Sequence, residues 1–560
     1  CSPNLSLKKR VTMLHHEKTV FIIRIFPAII IFAITSQLLA IKCGTIDGIN
    51  YFYAGEVIAT PVLPYSFGTE HFKIWYDTTG YNSVFPGDID DDNIPDYVES
   101  TAVYLEHVWG ILMDSLKYRK PIPDSTGFTD PDSFGGDERV DVYLVKLSDG
   151  MYGMTYPRKI FTAGRSQKAS AYISINCDLT SIERYKDNPF PALRVTCAHE
   201  FFHVVQFAYR FPSDAINFGW WLEATAVFDE EFVYDDVNDY YQYIPSFQDN
   251  PRLPLFYYPS SEPSAVYGAV LFPIFLEELL SPPGVRFTGE IVKRSWEYCE
   301  TETPVYAVRD IAEEHGKTFA DIIQLFQLWR VRVGSNWHEG YFYEGRNYPP
   351  PKTDTLYFGD SLITIDDSLQ SLSMSYYTLA YAPFDYGVVA NLRLIDFSSG
   401  WLMLLPIELP GDTPNNALFA APGHNVAVAG RWQYKEIIIS PTILSTATNG
   451  ALKITVRRAD SLSVPMSWTA KIGKPFPNPC RGDKITFRVE LTRPTKVSLK
   501  IFGSSGEFVW EHNEHITIPG KIEIFWSCEN HLGQKVAPGV YIYTISAGEQ
   551  KGSGKILIIK

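Results

Sequence analysis

Cysteine is scarce in this chain, with seven in 560 residues, which excludes a disulfide-built scaffold. Cys480 and Cys528 share the C-terminal stretch. They either pair in an oxidising compartment or stay as two free buried thiols, and their spacing is not that of a metal knuckle. Positive charge is also in short supply: 49 Lys and Arg against 64 Asp and Glu leave a formal net charge of −15. That balance argues against nucleic acid or an anionic membrane surface as a partner. Long apolar runs are nearly absent, and the uncharged run from Ile25 to Ile41 is short for a membrane span. What is plentiful is core-forming material. With 45% hydrophobic and 14% aromatic residues, disorder is not the default, and the length points to two to four domains.

The uncharged run reads as part of a targeting leader. Basic and polar residues up to Arg24 precede the apolar Ile25–Ile34, Met13 is a candidate true start, and cleavage is expected near Ala40. Cys43 invites a lipoprotein reading, but Lys42 before it departs from the small residue that such a signal carries. We assign 1–43 to the leader. The protein is expected to be exported, secreted or held at the cell surface, touching membrane only through that leader or a surface attachment.

The chemistry concentrates at His199-Glu200-Phe201-Phe202-His203. Two histidines four residues apart on a helix project from one face, so both imidazoles reach one metal ion. Glu200 can lie beside that metal and take a proton from water that the metal activates. A catalytic zinc takes three protein ligands and leaves one position for water. Glu223, within Gly219–Ala226 on the next expected helix, supplies the third, with nineteen residues after His203 for a turn and an antiparallel return. Pro191 suits the first turn of the motif helix. Leu193, Cys197, Phe201, Val204, Val205 and Ala208 fall near one stripe and the histidines on another, so Cys197 should point away from the site as a small packing residue. Asp229 and Glu230 are both candidates to orient a ligand histidine from behind, and helix position alone does not choose between them.

A second constellation lies upstream. Asp88, Asp90, Asp92, Asp96 and Glu99 occupy positions 1, 3, 5, 9 and 12 of a calcium loop, with the Ile94 carbonyl at 7. Asn93 stands where the sharp turn takes glycine, and asparagine tolerates the left-handed backbone required there. Pro95 replaces the hydrophobic residue that pairs two loops, and no helix pattern precedes Asp88. A lone loop holding Ca2+ is therefore expected, with a solvated acidic helix start as the alternative.

Residues 44–350 mix helical patterns (Tyr97–Leu116, Tyr267–Leu280, Phe287–Glu297, Phe319–Arg332) with strands (Asp141–Val145, Ala171–Ile175). After Asn347–Pro351 the chain turns strand-rich, and 351–470 reads as a β-sandwich. Pro475–Pro479 opens a last module within 471–560, whose short strands at Ile485–Leu491, Val497–Phe502, Phe508–Trp510, Ile522–Trp526, Val540–Ile545 and Ile556–Ile559 suit an immunoglobulin-like sandwich. The expected architecture is multidomain: an α+β domain followed by two all-β, Ig-like sandwich modules.

The His, His, Glu arrangement and the phrase Trp220-x-x-Glu223-x-x-Ala226 resemble the gluzincin metallopeptidases. The loop ending Pro95-Asp96-Tyr97-Val98-Glu99, Gly135-Gly136-Asp137, the Asp141–Leu144 strand, Ala198–His203 and Val205–Tyr209 widen this into a resemblance to a family of secreted bacterial metallopeptidases, over most of 65–350. Ala224 and Phe228 stand where that family tends to have Gly and Trp, and neither change removes a ligand. The resemblance implies a zincin-like fold for 44–350, Zn2+ as cofactor and an edge strand near Ala171–Ile175 that pairs with substrate backbone. It also implies an oxyanion donor, for which Tyr267 is the candidate. Pro475–Pro479, Gly533–Tyr541 and the basic-apolar end resemble the C-terminal sorting or FlgD-like Ig modules of secreted bacterial proteins, which implies handling by bacterial secretion machinery.

The expected function is thus a secreted zinc peptidase acting on protein or peptide, with His199, His203 and Glu223 holding Zn2+ and Glu200 as general base. The alternative is a non-catalytic cell-surface adhesin or scaffold with a structural zinc domain, opposed by the presence of Glu200. A metal-dependent hydrolase of a non-peptide bond is a third, weaker reading.

Overall fold

The strand Val140–Val145 is buried at every position, as a strand flanked by parallel neighbours and covered on both faces must be. It is the middle of a five-stranded sheet. In chain order the N-terminal elements are α1 (Thr45–Tyr53), β1 (Tyr65–Gly68), β2 (Phe72–Tyr76), α2 (Asp96–Trp109), β3 (Val140–Val145), β4 (Gly153–Ala163), β5 (Ser166–Asn176), α3 (Phe190–Tyr209) and α4 (Ala215–Val233). The computed structural model describes residues 42–54, 60–123, 125–129, 135–163, 166–212, 215–256, 263–357, 362–380, 387–395, 399–408, 415–428, 434–444, 449–459, 471–481, 484–491, 495–516, 520–548 and 550–559.

The sheet order is β1-β2-β3-β5-β4. β2, β3 and β5 run parallel, while β1 and β4 are antiparallel to their neighbours. The edge strand expected at Ala171–Ile175 is corrected here: those residues lie inside β5, between β3 and β4. The edge beside β5 is β4. Its proline and basic residues hide the strand pattern in sequence. Pro157, which has no N–H for a ladder, sits at a register shift between Pro157 and Lys159, as an edge strand tolerates.

α3 lies across the sheet against β5 and between α2 and α4. Every residue from Val195 to Tyr209 is buried, so the helix is covered on all sides and its apolar stripe is only one of several buried faces. Phe201 stacks with Trp109 and meets Phe72 edge-on. Among the described residues the α-helices that follow are α5 (Ile244–Asp249), α6 (Pro263–Gly268), α7 (Leu271–Leu280), α8 (Glu290–Cys299), α9 (Pro304–Glu314) and α10 (Phe319–Val331). The single helix expected over Tyr267–Leu280 is two helices, broken after Gly268. There a Cβ would meet the Tyr243 carbonyl at 2.4 Å.

Lys42 and Cys43 end the stretch assigned to the leader, after the cleavage expected near Ala40. Lys42 and Cys43 are 1% and 2% exposed within the N-terminal domain, and α1 follows at once. A lysine after an apolar run reads as a leader flank, because the carboxylates that hold it lie far along the chain. The remainder of the expected leader, 1–41, lies outside the described residues.

Two β-sandwiches follow. In the first, a five-stranded sheet (Asp354–Leu356, Tyr377–Ala380, Gly400–Glu408, Leu418–Ala420, Tyr434–Ile443) and a four-stranded one (Leu362–Gln370, Gly387–Leu394, Asn425–Val428, Asn449–Ala459) enclose their own core. The outer face of the five-stranded sheet joins the N-terminal core through Trp401, Met403 and Leu405. Gln327 of α10 donates to the Ser440 carbonyl at 2.9 Å and accepts from Trp401 Nε1 at 2.7 Å. Arg332 and Glu408 form a buried ion pair at 2.5 Å across the same junction. The second sandwich packs Lys471–Ile472, Ile485–Leu491 and Gly520–Trp526 over Thr495–Gly503, Phe508–Ile516, Gly539–Ala547 and Gln550–Ile558. Within it the Cys480 and Cys528 sulfurs stand 4.0 Å apart. Among the described residues no helix is long and apolar enough to cross a membrane.

Candidate metal centre

α3 and α4 bring His199, His203 and Glu223 to one buried point. His199 Nε2 and His203 Nε2 are 3.1 Å apart, and Glu223 Oε2 lies 3.3 Å from the first and 3.8 Å from the second. A fourth donor joins them: Cys43 Sγ, 3.4 Å from His203 Nε2. All four donor atoms fall within 4.8 Å of one another. Donors at ~2.0–2.3 Å from an ion in a tetrahedron stand roughly 3.3–3.8 Å apart; three of the four spacings fall in that range and the 3.1 Å histidine pair just below it, so the group could hold a metal ion. Glu223 is fully buried, yet neither of its oxygens finds a properly directed hydrogen-bond donor. A buried carboxylate in that condition needs positive charge beside it, from a bound cation or from a protonated histidine.

Behind the donors, each histidine is held by its other nitrogen. His199 Nδ1 donates to Glu230 Oε1 at 2.7 Å, and His203 Nδ1 donates to Gln206 Oε1 at 2.7 Å. These bonds fix the tautomer that aims both Nε2 lone pairs at the shared point. The structure therefore chooses Glu230 over Asp229. Asp229 is buried with Oδ2 unpartnered, and burial pushes its carboxyl well above the ordinary value. Gln206 was not singled out from the sequence, although its position three residues after His203 on a helix is the signal that finds it. Its amide in turn donates to the Leu222 carbonyl and to Thr225 Oγ1, both at 3.0 Å, tying α3 to α4 beside Glu223.

Burial opposes charge on His199, but the carboxylates of Glu223, 3.3 Å from Nε2, and Glu230, bonded to Nδ1, outweigh it and push its pKa up to about 10. Burial likewise opposes charge on Glu223, and the attraction of His203 and His199 brings it down to about 2. A metal ion bound at this point would have to displace the His199 proton. Because that folded-state pKa is raised, apparent affinity rises with pH through the neutral range. At least one proton per zinc is expected in calorimetric titrations near pH 7 in buffers of different ionisation enthalpy. Zinc uptake without proton release would contradict this charge state.

Glu200 lies on the same helix face, 1% exposed. Thr155 Oγ1 donates to its Oε2 at 2.7 Å, and Thr45 Oγ1 reaches the same oxygen at 3.3 Å. β4 passes so close that a Cβ at Gly153 would meet Glu200 Cγ at 2.5 Å; only glycine fits there.

The N-terminal segment completes the centre. Lys42 Nζ bridges Glu230 Oε2 at 2.6 Å and Asp239 Oδ2 at 2.5 Å. Burial works against its charge, and Asp239 and Glu230 more than compensate, raising its pKa. Tyr185 and Gln242 donate to the other oxygen of Asp239 at 2.6 and 2.7 Å. Tyr267, the sequence candidate for an oxyanion donor, has its ring centroid 6.4 Å from that of His199. Its hydroxyl donates to the Cys43 carbonyl at 3.1 Å and accepts from the Cys43 N–H at 3.0 Å.

At the acidic loop the structure gathers three of the five candidate ligands: donor oxygens of Asp88, Asp90 and Asp92 lie within 4.8 Å. Asp96 and Glu99 are not part of that cluster. Asp96 Oδ1 accepts from the Ile89 N–H at 3.3 Å, and Glu99 feels its neighbours only electrostatically. Its partial burial and then the fields of Asp90, Asp92, Asp96 and Asp88 raise its pKa. Asn93 adopts φ +74°, the left-handed turn that the calcium-loop reading needs. Calcium occupying this loop should stabilise the zinc-loaded protein by about 1.4 kcal/mol at tenfold excess over its Kd, and Asp90→Asn should remove that gain. A thermal shift unchanged by Asp90→Asn would locate calcium elsewhere.

No family model matches this chain, and no curated relative does. Among solved structures, PorZ, a bacterial surface component of the type-IX secretion system of Porphyromonas gingivalis, is 20% identical over 19% of this chain and 14% of its own, with a TM-score of 0.14. Dimeric latent PorU of the same organism is 13% identical over 37% of this chain and 19% of its own, with a TM-score of 0.15. PliG, a periplasmic inhibitor of g-type lysozyme from Aeromonas hydrophila, is 13% identical over 19% of this chain and 97% of its own, with a TM-score of 0.15. The chain spans less than a fifth of the length of either Porphyromonas protein.

Proposed function

We propose that the N-terminal domain is a zincin-like, gluzincin-type peptidase domain in which His199, His203 and Glu223 hold Zn2+. The observation that carries the reading is the buried cluster of two nitrogens and an unpartnered carboxylate, with the carboxylate of Glu200 on the same helix. Zinc held by these residues would supply Lewis acidity and acidify the attacking water. Glu200 Oε2 would accept the proton of that water and return it to the leaving amine. Thr155 keeps that oxygen in place. Tyr267 OH, which meets the Cys43 carbonyl in this structure, would donate to the carbonyl of a bound peptide and stabilise its developing negative charge. Protein or peptide is the substrate in this reading. The 471–560 module serves delivery to the cell surface or medium.

Cys43 in the fourth position favours a second reading, because structural zinc sites are closed by four protein ligands. In that case the chain is a surface adhesin or scaffold that has no turnover. The full-length chain separates the two readings. One zinc per chain, lost in Glu223→Ala, and chelator-sensitive cleavage of casein or a peptide library by Cys43→Ser protein are the expected results. Zinc-loaded Cys43→Ser protein that cleaves no peptide would overturn the peptidase reading.

A further inference from the structure

We propose that Cys43 is a fourth metal ligand and that Lys42–Tyr53 is a built-in occupant of the substrate cleft, which keeps the site latent. This rests on the zinc reading and assigns its regulation.

Three independent features of the segment converge on it. The first is the thiol. Cys43 Sγ stands 3.4 Å from His203 Nε2, within the same cluster as His199 and Glu223. The Thr45 N–H donates to the sulfur at 3.4 Å, the kind of outer support that metal thiolates receive, and the thiol itself donates to the Thr45 hydroxyl oxygen at 3.1 Å.

The second is the backbone. The Lys42 carbonyl accepts from the Tyr152 N–H at 2.9 Å, and the Gly44 N–H donates to the Gly153 carbonyl at 3.2 Å. Cys43 thereby pairs with Gly153 at the start of the edge strand β4. An extended peptide adds to a free sheet edge in this way, and here the chain's own residues hold the place. The Cys43 carbonyl receives the Tyr267 hydroxyl, and Thr45 reaches the carboxylate of Glu200. Each group that would act on a substrate is thus engaged by this one segment.

The third is the anchorage. Lys42 is locked between Glu230 and Asp239, and α1 buries Thr45, Ile46, Gly48 and Ile49 beside β4 and α4. On closing, the Cys43 thiol gives its proton to solvent as the sulfur–metal bond forms. On release that bond breaks, the sulfur regains a proton, and the position passes to solvent. No oxidant or reductant takes part.

The test replaces zinc by cobalt(II) in the full-length chain. Wild-type protein should show a sulfur-to-cobalt charge-transfer band in the near ultraviolet, and zinc absorption spectroscopy should find one sulfur at about 2.3 Å. In Cys43→Ser the band should vanish with one metal retained per chain, and peptide turnover should rise at least tenfold. Wild-type protein that binds one metal without a thiolate band would overturn the proposal, and this holds even if the variant fails to fold. Equal turnover by the two proteins would overturn the latch. If the band disappears in Cys43→Ser, the metal stays and no peptide is cleaved, the ligand assignment stands and the peptidase reading fails.

Discussion

Glu200→Gln is expected to lower peptide hydrolysis by about a thousandfold while one zinc per chain remains bound. The amide keeps the shape of the carboxylate but accepts no proton, so only the base function is lost. Glu200 is not among the clustered donors, and its Oε2 bonds to Thr155 and Thr45 instead, so the metal cluster has no need of it. The comparison should be made in the full chain with and without Cys43→Ser, which keeps it informative whether or not the thiol is a latch. An active Glu200→Gln protein would remove Glu200 from the mechanism. Loss of zinc together with activity would make the residue structural.

The second large effect is expected at Lys42. Lys42→Met removes one ammonium from between two carboxylates that are almost wholly buried. Breaking a buried pair by deleting one partner costs about 3–5 kcal/mol, because the remaining charge stays uncompensated. The loss should appear in the denaturant midpoint of the N-terminal domain, followed by a probe within that domain because several cores need not unfold together. Glu230 is also the partner of His199 Nδ1, so the same variant should bind zinc more weakly. Lys42→Arg should recover part of both. A Lys42→Met protein within 1 kcal/mol of wild type, the range of an exposed pair, would show that the ammonium is hydrated and not pinned.

The side chains that α3 and α4 bring together were legible because helical periodicity is local physics. His199 and His203 at four-residue spacing share a face wherever that helix lies, and the interval to Glu223 allowed a return. The left-handed turn at Asn93 was legible for a similar reason: few residues accept positive φ, and asparagine is one of them. The strand texture after residue 351 likewise came from local pattern, and strands fall there in both sandwiches.

Contacts between distant segments had no such signal. Lys42 meets Glu230 across 188 residues of sequence, and a lysine beside an apolar run looks like a leader flank until those carboxylates are in place. β4 escaped because an edge strand tolerates the proline and charges that disguise it. The choice of Glu230 over Asp229 turned on a rotation of α4 that spacing does not set.

The sequence by itself determined that His199, His203 and Glu223 could share one point with Glu200 nearby, since that follows from residue type and helix pitch. Only the tertiary structure decided what else stands beside them. It folds Cys43 and the start of α1 along β4 and turns a three-donor site into a four-donor one. The reason is physical: closing a contact over such a separation depends on the whole packed core, and no local pattern encodes it.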